Sequence, residues 1–306
     1  MKQIRSKWMS IATVLFAVGV LSHAAGAQTR VTFCGQILSK PGQYVLSTDL
    51  DCSGTFASGV SITSSNVAFH LANHTITSQD CDTSKDIDGV SAQGPITGIR
   101  IDGGTVRGFN DGIVLSSSHS QIIGMTVTNA CTFGIALQGS HNLVESSLVM
   151  SNLGYGIGLQ VSTSHVISGN EISNNGSGVG LSNHANNNLV INNRIRGNNV
   201  FGVLLSFGTS NVIKENELDG NSVGIDLQDS GNSVLGNIVN ASLNTGIGLD
   251  APGPNTVKRN AVYGSVQADM SDANVGCAAD TWVGNAFVTD LVAAVPDGGP
   301  KVGCIR

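Results

Sequence analysis

A tetrapeptide with the sequence Gly-Ile/Val-x-Leu recurs along the chain at a nearly constant interval. Its seven copies begin at Gly112, Gly134, Gly156, Gly178, Gly202, Gly224 and Gly246. The interval between copies is 22 residues five times and 24 residues once. A unit this short cannot enclose its own apolar side chains, so it buries them only by stacking on its neighbours. The repeat therefore predicts a solenoid.

Asparagine recurs at two further positions of each repeat. One set precedes an apolar residue and comprises Asn170, Asn193, Asn216, Asn237, Asn260 and Asn285. The other comprises Asn142, Asn188, Asn211, Asn232 and Asn255, with His165 taking this position once. The apolar stretches between them are too short for helices and rich in β-branched residues, which favours short strands. We expect the stacked Asn side chains to bond to the corner backbone and to the Asn one coil above.

The competing solenoid is the leucine-rich repeat, which has a similar period. It needs a Leu-x-x-Leu-x-Leu spacing and a return segment, and the chain has neither. From about residue 60 to residue 290 the repeats instead resemble those of the right-handed parallel β-helix family, the fold of pectate lyases and many other polysaccharide-active proteins. The sequence thus predicts an all-β fold, a right-handed parallel β-helix of roughly nine to ten coils of 22–24 residues, with disulfide-stapled caps.

The first 27 residues have the features of a cleaved signal peptide. A basic start is followed by an apolar run over residues 9–21 and a small-residue cleavage site at 25–27. The apolar run is too short to cross a membrane. Residues 28–58 are then predicted to form an N-terminal cap, residues 59–270 the β-helix and residues 271–306 a C-terminal cap.

Charge and export restrict the partners of the chain. Without the three basic residues of the signal peptide, 12 Lys and Arg face 21 Asp and Glu, a formal net charge of −9. An acidic chain without a basic tract argues against nucleic acid as a partner. We therefore expect a monomer that is secreted or periplasmic and has no membrane span after signal cleavage.

All six cysteines follow the predicted signal peptide, and an even number in an exported chain predicts disulfides. Cys34 and Cys52 bracket a Pro-Gly turn in the first element. Cys277 and Cys304 bracket the last segment. Each pair is expected to staple one open end of the solenoid, where an uncovered coil exposes unpaired strand edges.

The remaining cysteines, Cys81 and Cys131, leave two alternatives. By alignment they occupy similar corners two coils apart, about 10 Å at ordinary strand spacing. They pair if the segment around Cys81 reaches over. Otherwise Cys131 is a buried free thiol, which behaves as a small apolar side chain.

The candidate catalytic residues are Arg194, Arg196, Glu217 and Asp219. Because equivalent positions of adjacent coils stack about 4.8 Å apart, the alignment puts Arg194 beside Glu217 and Arg196 beside Asp219. Carboxylates two residues apart on a strand lie roughly 6.5–7 Å apart, near the lower limit for an inverting glycosidase. In a lyase, arginine would neutralise a uronate carboxylate. The alternative is a salt-bridge lattice between adjacent strands, which the alternating charges favour.

Aspartates at or after the tetrapeptide strand form a second candidate site. Asp226, Asp250 and Asp269 fall on three successive coils. Oxygen-rich clusters of this kind bind calcium, which recruits uronates in some β-helix lyases. An acidic, solvated face is the alternative. Ca²⁺ is therefore the one cofactor that the sequence suggests.

The outward positions lower on the same strand are small or apolar: Ala136, Gly158, Gly180 and Leu204. They predict a flat track that offers few hydrogen bonds to a sugar. His119 and His141 fall at one corner of adjacent coils, where no Cys or carboxylate completes a metal site. A role in stabilising the turn is favoured for them.

The resemblance implies a carbohydrate-directed surface. The catalytic motifs of polygalacturonases and the Asp-Pro-His of alginate epimerases are absent from the sequence. Few inserted loops are available to wall a cleft, because the only long insertion lies between Ile76 and Val90. The chain is therefore predicted to bind or degrade a polysaccharide or cell-surface glycan, as a lyase or a hydrolase. The alternative is a non-catalytic surface or adhesion module that uses the solenoid as a rigid scaffold.

Overall fold

The computed structural model describes residues 28–55, 57–79, 87–250, 253–274, 277, 279–292 and 304–305. In this part of the chain there are 34 β-strands and no α-helix. The predicted signal peptide and the segment around Cys81 lie outside the described residues. The strands, numbered in chain order, form three parallel sheets that we call A, B and C.

Sheets A and B contain twelve strands each. Sheet A consists of β1 (Thr29–Val31), β3 (Gly42–Leu46), β6 (Val67–His70), β9 (Arg100–Asp102), β12 (Gln121–Ile123), β15 (Leu143–Glu145), β18 (Val166–Ser168), β21 (Leu189–Ile191), β24 (Val212–Lys214), β27 (Ser233–Leu235), β30 (Thr256–Lys258) and β33 (Thr281–Val283). Sheet B consists of β2 (Gln36–Leu38), β5 (Val60–Ile62), β8 (Asp88–Thr97), β11 (Asp111–Ser118), β14 (Phe133–Ser140), β17 (Tyr155–Thr163), β20 (Ser177–Ser182), β23 (Phe201–Leu205), β26 (Val223–Leu227), β29 (Thr245–Leu249), β32 (Ala268–Asp272) and β34 (Asp290–Val292).

Sheet C contains ten shorter strands. They are β4 (Leu50–Asp51), β7 (Thr75–Thr77), β10 (Thr105–Arg107), β13 (Thr126–Thr128), β16 (Leu148–Met150), β19 (Glu171–Ser173), β22 (Arg194–Arg196), β25 (Glu217–Asp219), β28 (Ile238–Asn240) and β31 (Ala261–Tyr263). From β3 to β32 each turn of the chain passes through sheets A, C and B in that order, and β33 and β34 then add a last strand to sheets A and B. The predicted parallel β-helix is confirmed.

The solenoid has about eleven turns, more than the nine to ten predicted. The difference arises at both ends, where the segments predicted as caps supply β1 to β4 and β33 to β34. The N-terminal segment also contributes to the core. The apolar side chains of this segment are buried in the common core: Val31, Leu38, Leu46 and Leu50. These residues therefore extend the stack of strands at its first end.

The tetrapeptide forms the inner layer of sheet B. Its second residues align in unbroken register through seven strands, and every one of them is fully buried: Ile113, Ile135, Ile157, Val179, Val203, Ile225 and Ile247. The preceding glycine is required by a close approach between coils. A Cβ atom at Gly202, for example, would collide with the carbonyl oxygen of Gly224. The glycine of the recurring Gly-Ile/Val is therefore needed for the close packing of successive coils.

Asparagine side chains close the corners of the coil from inside. In the predicted ladder that contains Asn170, the backbone N–H and the Nδ2 of Asn170 donate to Oδ1 of Asn193, at 2.9 and 3.0 Å. The Nδ2 of Asn193 also donates to the carbonyl oxygen of Ile167 at 2.8 Å. Both Asn side chains are almost completely buried. The ladder thus satisfies backbone groups that would otherwise be buried without partners.

A third ladder, which was not predicted, runs along the corner between sheets C and B. It contains Asn152, Asn175, Asn198 and Asn221, joined by the same bonds from backbone and side chain to the next Oδ1. The ladder that contains Asn255 ends on a carboxyl group, because the N–H of Asn255 donates to Asp280 Oδ1 at 2.7 Å. The ladder that contains Asn170 ends on Asn285.

The predicted disulfides at the two ends are confirmed. Cys34 and Cys52 are bonded with their Cα atoms 5.6 Å apart, and Cys277 and Cys304 with theirs 6.1 Å apart. Cys131 is disulfide-bonded as well, so the free-thiol alternative is wrong. Cys81 lies outside the described residues. Among the described residues, no helix has the length and apolar content that a membrane crossing requires.

His165 takes the place of asparagine in one ladder, but only one of its two ring nitrogens forms a hydrogen bond with a described residue. Its Nδ1 accepts the backbone N–H of Asn142 at 3.0 Å, as an Asn oxygen would. Its Nε2 is buried without a hydrogen-bond partner among the described residues. Burial, together with the nearby His141, lowers the pKa of His165 to about 4. The imidazole is therefore neutral in the folded protein at ordinary pH.

We expect this histidine to make the fold sensitive to acid. In the unfolded chain His165 has a pKa of about 6.5, so the unfolded state binds the extra proton first as the pH falls. The free energy of unfolding should decrease between about pH 6.5 and pH 4, by up to about 3 kcal/mol from this group. His165→Asn restores the ladder and should remove this decrease.

The measurement is urea unfolding at pH 7.5 and pH 4.5. His184→Asn, which changes an exposed histidine, is the control and should keep the wild-type dependence on pH. If His165→Asn loses as much stability on acidification as the wild type, another group causes the acid sensitivity.

Candidate functional site

The outward surface of sheet B, which we call the sheet B face, carries the most distinctive side chains of the solenoid. The third residue of each tetrapeptide points outward on this face, and in the first coils these residues are small or apolar. Phe133 and Tyr155 lie beside them, at the start of β14 and β17, in register with each other. Their rings are stacked, with centroids 5.8 Å apart and an angle of 14° between the planes.

Two glycines make room for these rings. A Cβ atom on Gly158 would collide with the ring of Phe133, and one on Gly180 would collide with the ring of Tyr155. Each aromatic ring therefore lies across the backbone of the next coil. The apolar track predicted at these positions therefore carries two aromatic rings from the preceding coils, which the alignment of the repeats does not reveal.

A row of polar side chains runs beside the rings. Gln93, Ser116 and Gln138 align in register on β8, β11 and β14, and Ser116 Oγ donates to Gln138 Oε1 at 3.2 Å. Together with Phe133 and Gln160 they line a groove of about 250 Å³. The groove thus combines an apolar platform with amide and hydroxyl groups, which both donate and accept hydrogen bonds.

A second groove of about 340 Å³ lies further along the same face. It is lined by Phe201, Asp226, Gln228 and Asp250, among other residues of β23 to β34. Only 5% of the surface of Asp226 is exposed, and Gln228 Nε2 donates to its Oδ2 at 2.8 Å. Burial, opposed by this hydrogen bond and aided by the Asp250 carboxylate, raises the pKa of Asp226 to about 6.

The three aspartates predicted to bind calcium do not all meet. Asp226 and Asp250 line one groove, whereas Asp269 is turned away from it. Although burial opposes its ionisation, the pKa of Asp269 is held below its usual value because its carboxylate accepts three backbone N–H groups, those of Ser265, Val288 and Thr289. Among the described residues, no group of three or more His, Cys, Asp or Glu side chains is placed to hold a metal ion.

The predicted catalytic residues lie together on sheet C. The predicted register is confirmed, with Arg194 beside Glu217 and Arg196 beside Asp219. Arg194 Nη2 is 3.7 Å from Glu217 Oε1, and Arg196 forms an ion pair with Glu171. Their side chains are about half exposed. The basic groups are therefore matched to carboxylates on the open surface of sheet C, and their catalytic role stays a prediction.

Solved structures place the fold among parallel β-helix proteins that include polysaccharide-processing enzymes. The A-module of the Azotobacter vinelandii mannuronan C-5 epimerase AlgE4 is 14% identical, with a TM-score of 0.62 over 88% of this chain and 87% of that one. Pectate lyase Pel9A is 14% identical, with a TM-score of 0.56 over 86% and 78%. The Dettilon tailspike protein is 18% identical, with a TM-score of 0.68 over 91% and 62%.

The sequence also matches one family model, over residues 47–206 and again over residues 97–287. The chain belongs to this family, NosD, which is described as a periplasmic copper-binding protein. The two matches overlap over residues 97–206. No curated protein matches the chain. The disulfides and the family fit an extracellular or periplasmic location.

The described histidines and cysteines do not form a copper site. Copper is bound by imidazole, thiolate and thioether groups that converge on the ion. The described cysteines are disulfide-bonded. His119 and His141 stack with their ring centroids 4.8 Å apart and an angle of 3° between the planes. Their ring nitrogens thus lie in parallel planes and do not converge.

The other half-buried histidine pairs in this part of the chain involve aspartate. His70 Nδ1 is 2.8 Å from Asp102 Oδ1, and His74 Nδ1 is 3.0 Å from Asp49 Oδ1. Neither histidine has a second imidazole or a thiol beside it in a group that could hold a metal ion.

We expect the Asp226 carboxylate to reduce the stability of the fold. Because the folded pKa of about 6 lies above the unfolded value, the folded state holds the proton more tightly. Stability should therefore fall as the pH rises from about 4 to 6 and stay lower above that range. Asp226→Asn removes the ionisation and should raise the Tm at pH 7.5 but not at pH 4.

The Tm is measured by circular dichroism at both pH values. Asp219→Asn, which removes an exposed carboxylate of the same charge, is the control and should leave the Tm nearly unchanged. An equal Tm for Asp226→Asn and the wild type at pH 7.5 would contradict the raised pKa.

Proposed function

We propose that this protein is exported, by cleavage of residues 1–27, and binds a polysaccharide along the sheet B face. The observation that carries the proposal is the Phe133–Tyr155 stack over Gly158 and Gly180. One face of a pyranose ring presents C–H groups, and aromatic rings offer a large, rigid apolar surface to them. The adjacent amides and hydroxyl can bond to the sugar hydroxyl groups.

The charge of the face supports a neutral chain of sugars. The two grooves are lined by no Lys or Arg among the described residues, and the second contains Asp226 and Asp250. A uronate polymer would meet these carboxylates without a compensating cation. The platform and both grooves follow one another along the solenoid, so a bound chain would run across the strands. Mannuronan and pectate, which occur in the names of two structural neighbours, are acidic polymers. Preferential binding of a neutral polysaccharide would therefore distinguish this protein from those neighbours.

A second candidate function, hydrolysis of the bound polysaccharide, is favoured by one observation. A buried carboxyl group with a pKa of about 6 can donate a proton near neutral pH, as the general acid of a glycosidase does. We propose Asp226 as that acid and Asp250, which lines the same groove, as the second carboxylate. The patch of Arg194, Arg196, Glu217 and Asp219 on sheet C is the alternative location for catalysis.

Binding is tested with a panel of soluble neutral and uronate polysaccharides in affinity electrophoresis. Phe133→Ala and Tyr155→Ala should each weaken binding to the neutral ligand roughly tenfold, which corresponds to about 1.4 kcal/mol of lost contact. Phe207→Ala, which removes an aromatic ring that is 68% exposed outside this face, is the matched control. If the neutral polysaccharide retards Phe133→Ala and Tyr155→Ala as strongly as Phe207→Ala, the glycan binds outside the sheet B face.

Hydrolysis is tested by release of reducing ends, with ultraviolet absorbance as the readout for a lyase product. Asp226→Asn should abolish the release, and the wild-type rate should fall above about pH 6 because the acid loses its proton. If Asp226→Asn retains the rate and Glu217→Gln loses it, catalysis lies on sheet C. Binding without any product would favour the non-catalytic module.

Calcium binding by Asp226, Asp250 and Asp269 is tested with Ca²⁺ and with a chelator. We propose to repeat the binding and hydrolysis assays under both conditions and to measure the Tm as well. A Tm that rises with Ca²⁺ would support a calcium site at these aspartates. Since only Asp226 and Asp250 share the groove, Asp269→Asn should leave any such rise unchanged.

A further inference from the structure

A notch interrupts the corner between sheets A and C, apart from the sheet B face. Lys214, Leu235 and Lys258 stack in register on β24, β27 and β30. The residue after each of them lies at the corner with a positive φ, of 54°, 63° and 57° in turn: Glu215, Gly236 and Arg259. Because glycine has no side chain, the middle coil leaves a gap between a Lys-Glu wall and a Lys-Arg wall.

The notch is wide enough for one sugar ring. Leu235 forms its apolar floor, and the depression as a whole, of about 580 Å³, continues past Lys258 to Val283 and Gly284. Lys214 and Lys258 belong to strands two spacings apart, so their backbones are separated by roughly 9–10 Å. A flat ring can therefore rest on the floor while its substituents reach the walls.

The charge of the notch is opposite to that of the protein. Lys214 Nζ is 3.1 Å from Glu215 Oε1, so this wall is neutral. Lys258 and Arg259 have no ion pair in the part of the chain that the structure describes. Two uncompensated cations on one wall of a concave surface attract an anion. Arginine in particular binds a carboxylate with two parallel hydrogen bonds.

We propose that this notch binds an acidic sugar residue, with its carboxylate on Lys258 and Arg259 and its ring on Leu235. The apolar floor is the reason to assign a ring that carries a carboxylate, because a free inorganic anion would gain nothing from Leu235. Binding at the notch is independent of the sheet B face, which has no cation in its grooves. The protein would then hold a neutral chain on one surface and an acidic residue on another.

The experiment is a titration of the mature protein with glucuronate, glucose and inorganic phosphate at low ionic strength. Binding is followed by the amide NMR shift of Gly236. Glucuronate should shift this signal, glucose should not, and added salt should weaken the effect. Lys258→Gln and Arg259→Gln should each weaken glucuronate binding tenfold or more. Lys40→Gln, which removes an exposed cation elsewhere, should not.

Three outcomes would overturn the proposal. Glucuronate that leaves the Gly236 signal unmoved, or that binds Lys258→Gln and Arg259→Gln as well as wild type, would exclude the notch as its site. Phosphate that binds as tightly as glucuronate would show that only charge is recognised and would overturn the assignment to a sugar. Phe133→Ala should bind glucuronate normally, so a failure of the sheet B proposal is separable from a failure of this one.

Discussion

The hydrogen bonds between buried asparagines at the corners are the interaction on which the rest of the solenoid depends. A coil of this length turns three corners, and each corner buries backbone N–H and C=O groups away from water. The ladders of Asn170 and Asn175 satisfy those groups and also join each coil to the next. Since the same bonds repeat from coil to coil, they fix the register of all three sheets. Chemistry on the outer surface is positioned by this register.

The candidate functional surfaces lie where the residue at an equivalent position changes from one coil to the next. Phe133 and Tyr155 rest across the next coil because glycine is present there, and the notch at Gly236 exists because its neighbours carry long side chains. Asp226 is buried in a groove, where its charge costs stability that the fold recovers elsewhere. The copper-binding description of the NosD family has no counterpart in these surfaces among the described residues. A glycan-directed role agrees with what they offer.

The sequence was sufficient for the architecture because the repeat determines it. Alignment of the coils predicts two of the three ladders and the register of Arg194 with Glu217. The terminal disulfides are predicted instead from the cysteines that bracket the first and last segments. The number of turns was underestimated, because the strands at the two ends, β1 to β4 and β33 to β34, do not carry the tetrapeptide. The placement of individual side chains was predicted less well wherever it depends on contacts between two coils. Asp269 could have been placed correctly, since it occupies the position of the tetrapeptide glycine Gly246 and so faces away from the groove.

The aromatic platform was missed for a related reason. Phe133 and Tyr155 stand just before the tetrapeptide, and their rings contact glycines of the following repeat, so neither repeat alone reveals the contact. The available signal was an aromatic residue before Gly-Ile in two successive repeats, each followed one repeat later by glycine in the outward position. The raised pKa of Asp226 has no signal of this kind, because it depends on how deeply one side chain is buried.

The carboxyl group that ends one ladder also ends the row of bonds between coils at that corner. Asn255 accepts the backbone N–H of Asn232 from the coil before it and donates its own N–H to Asp280 on the coil after it. Asp280 accepts this bond, but its own N–H donates to the carbonyl oxygen of Cys277 in the same segment at 2.8 Å. The ladder therefore turns back on its own chain. At this corner Asp280 offers no free backbone donor to a further coil, which removes one of the bonds that a second molecule stacked on this end would use.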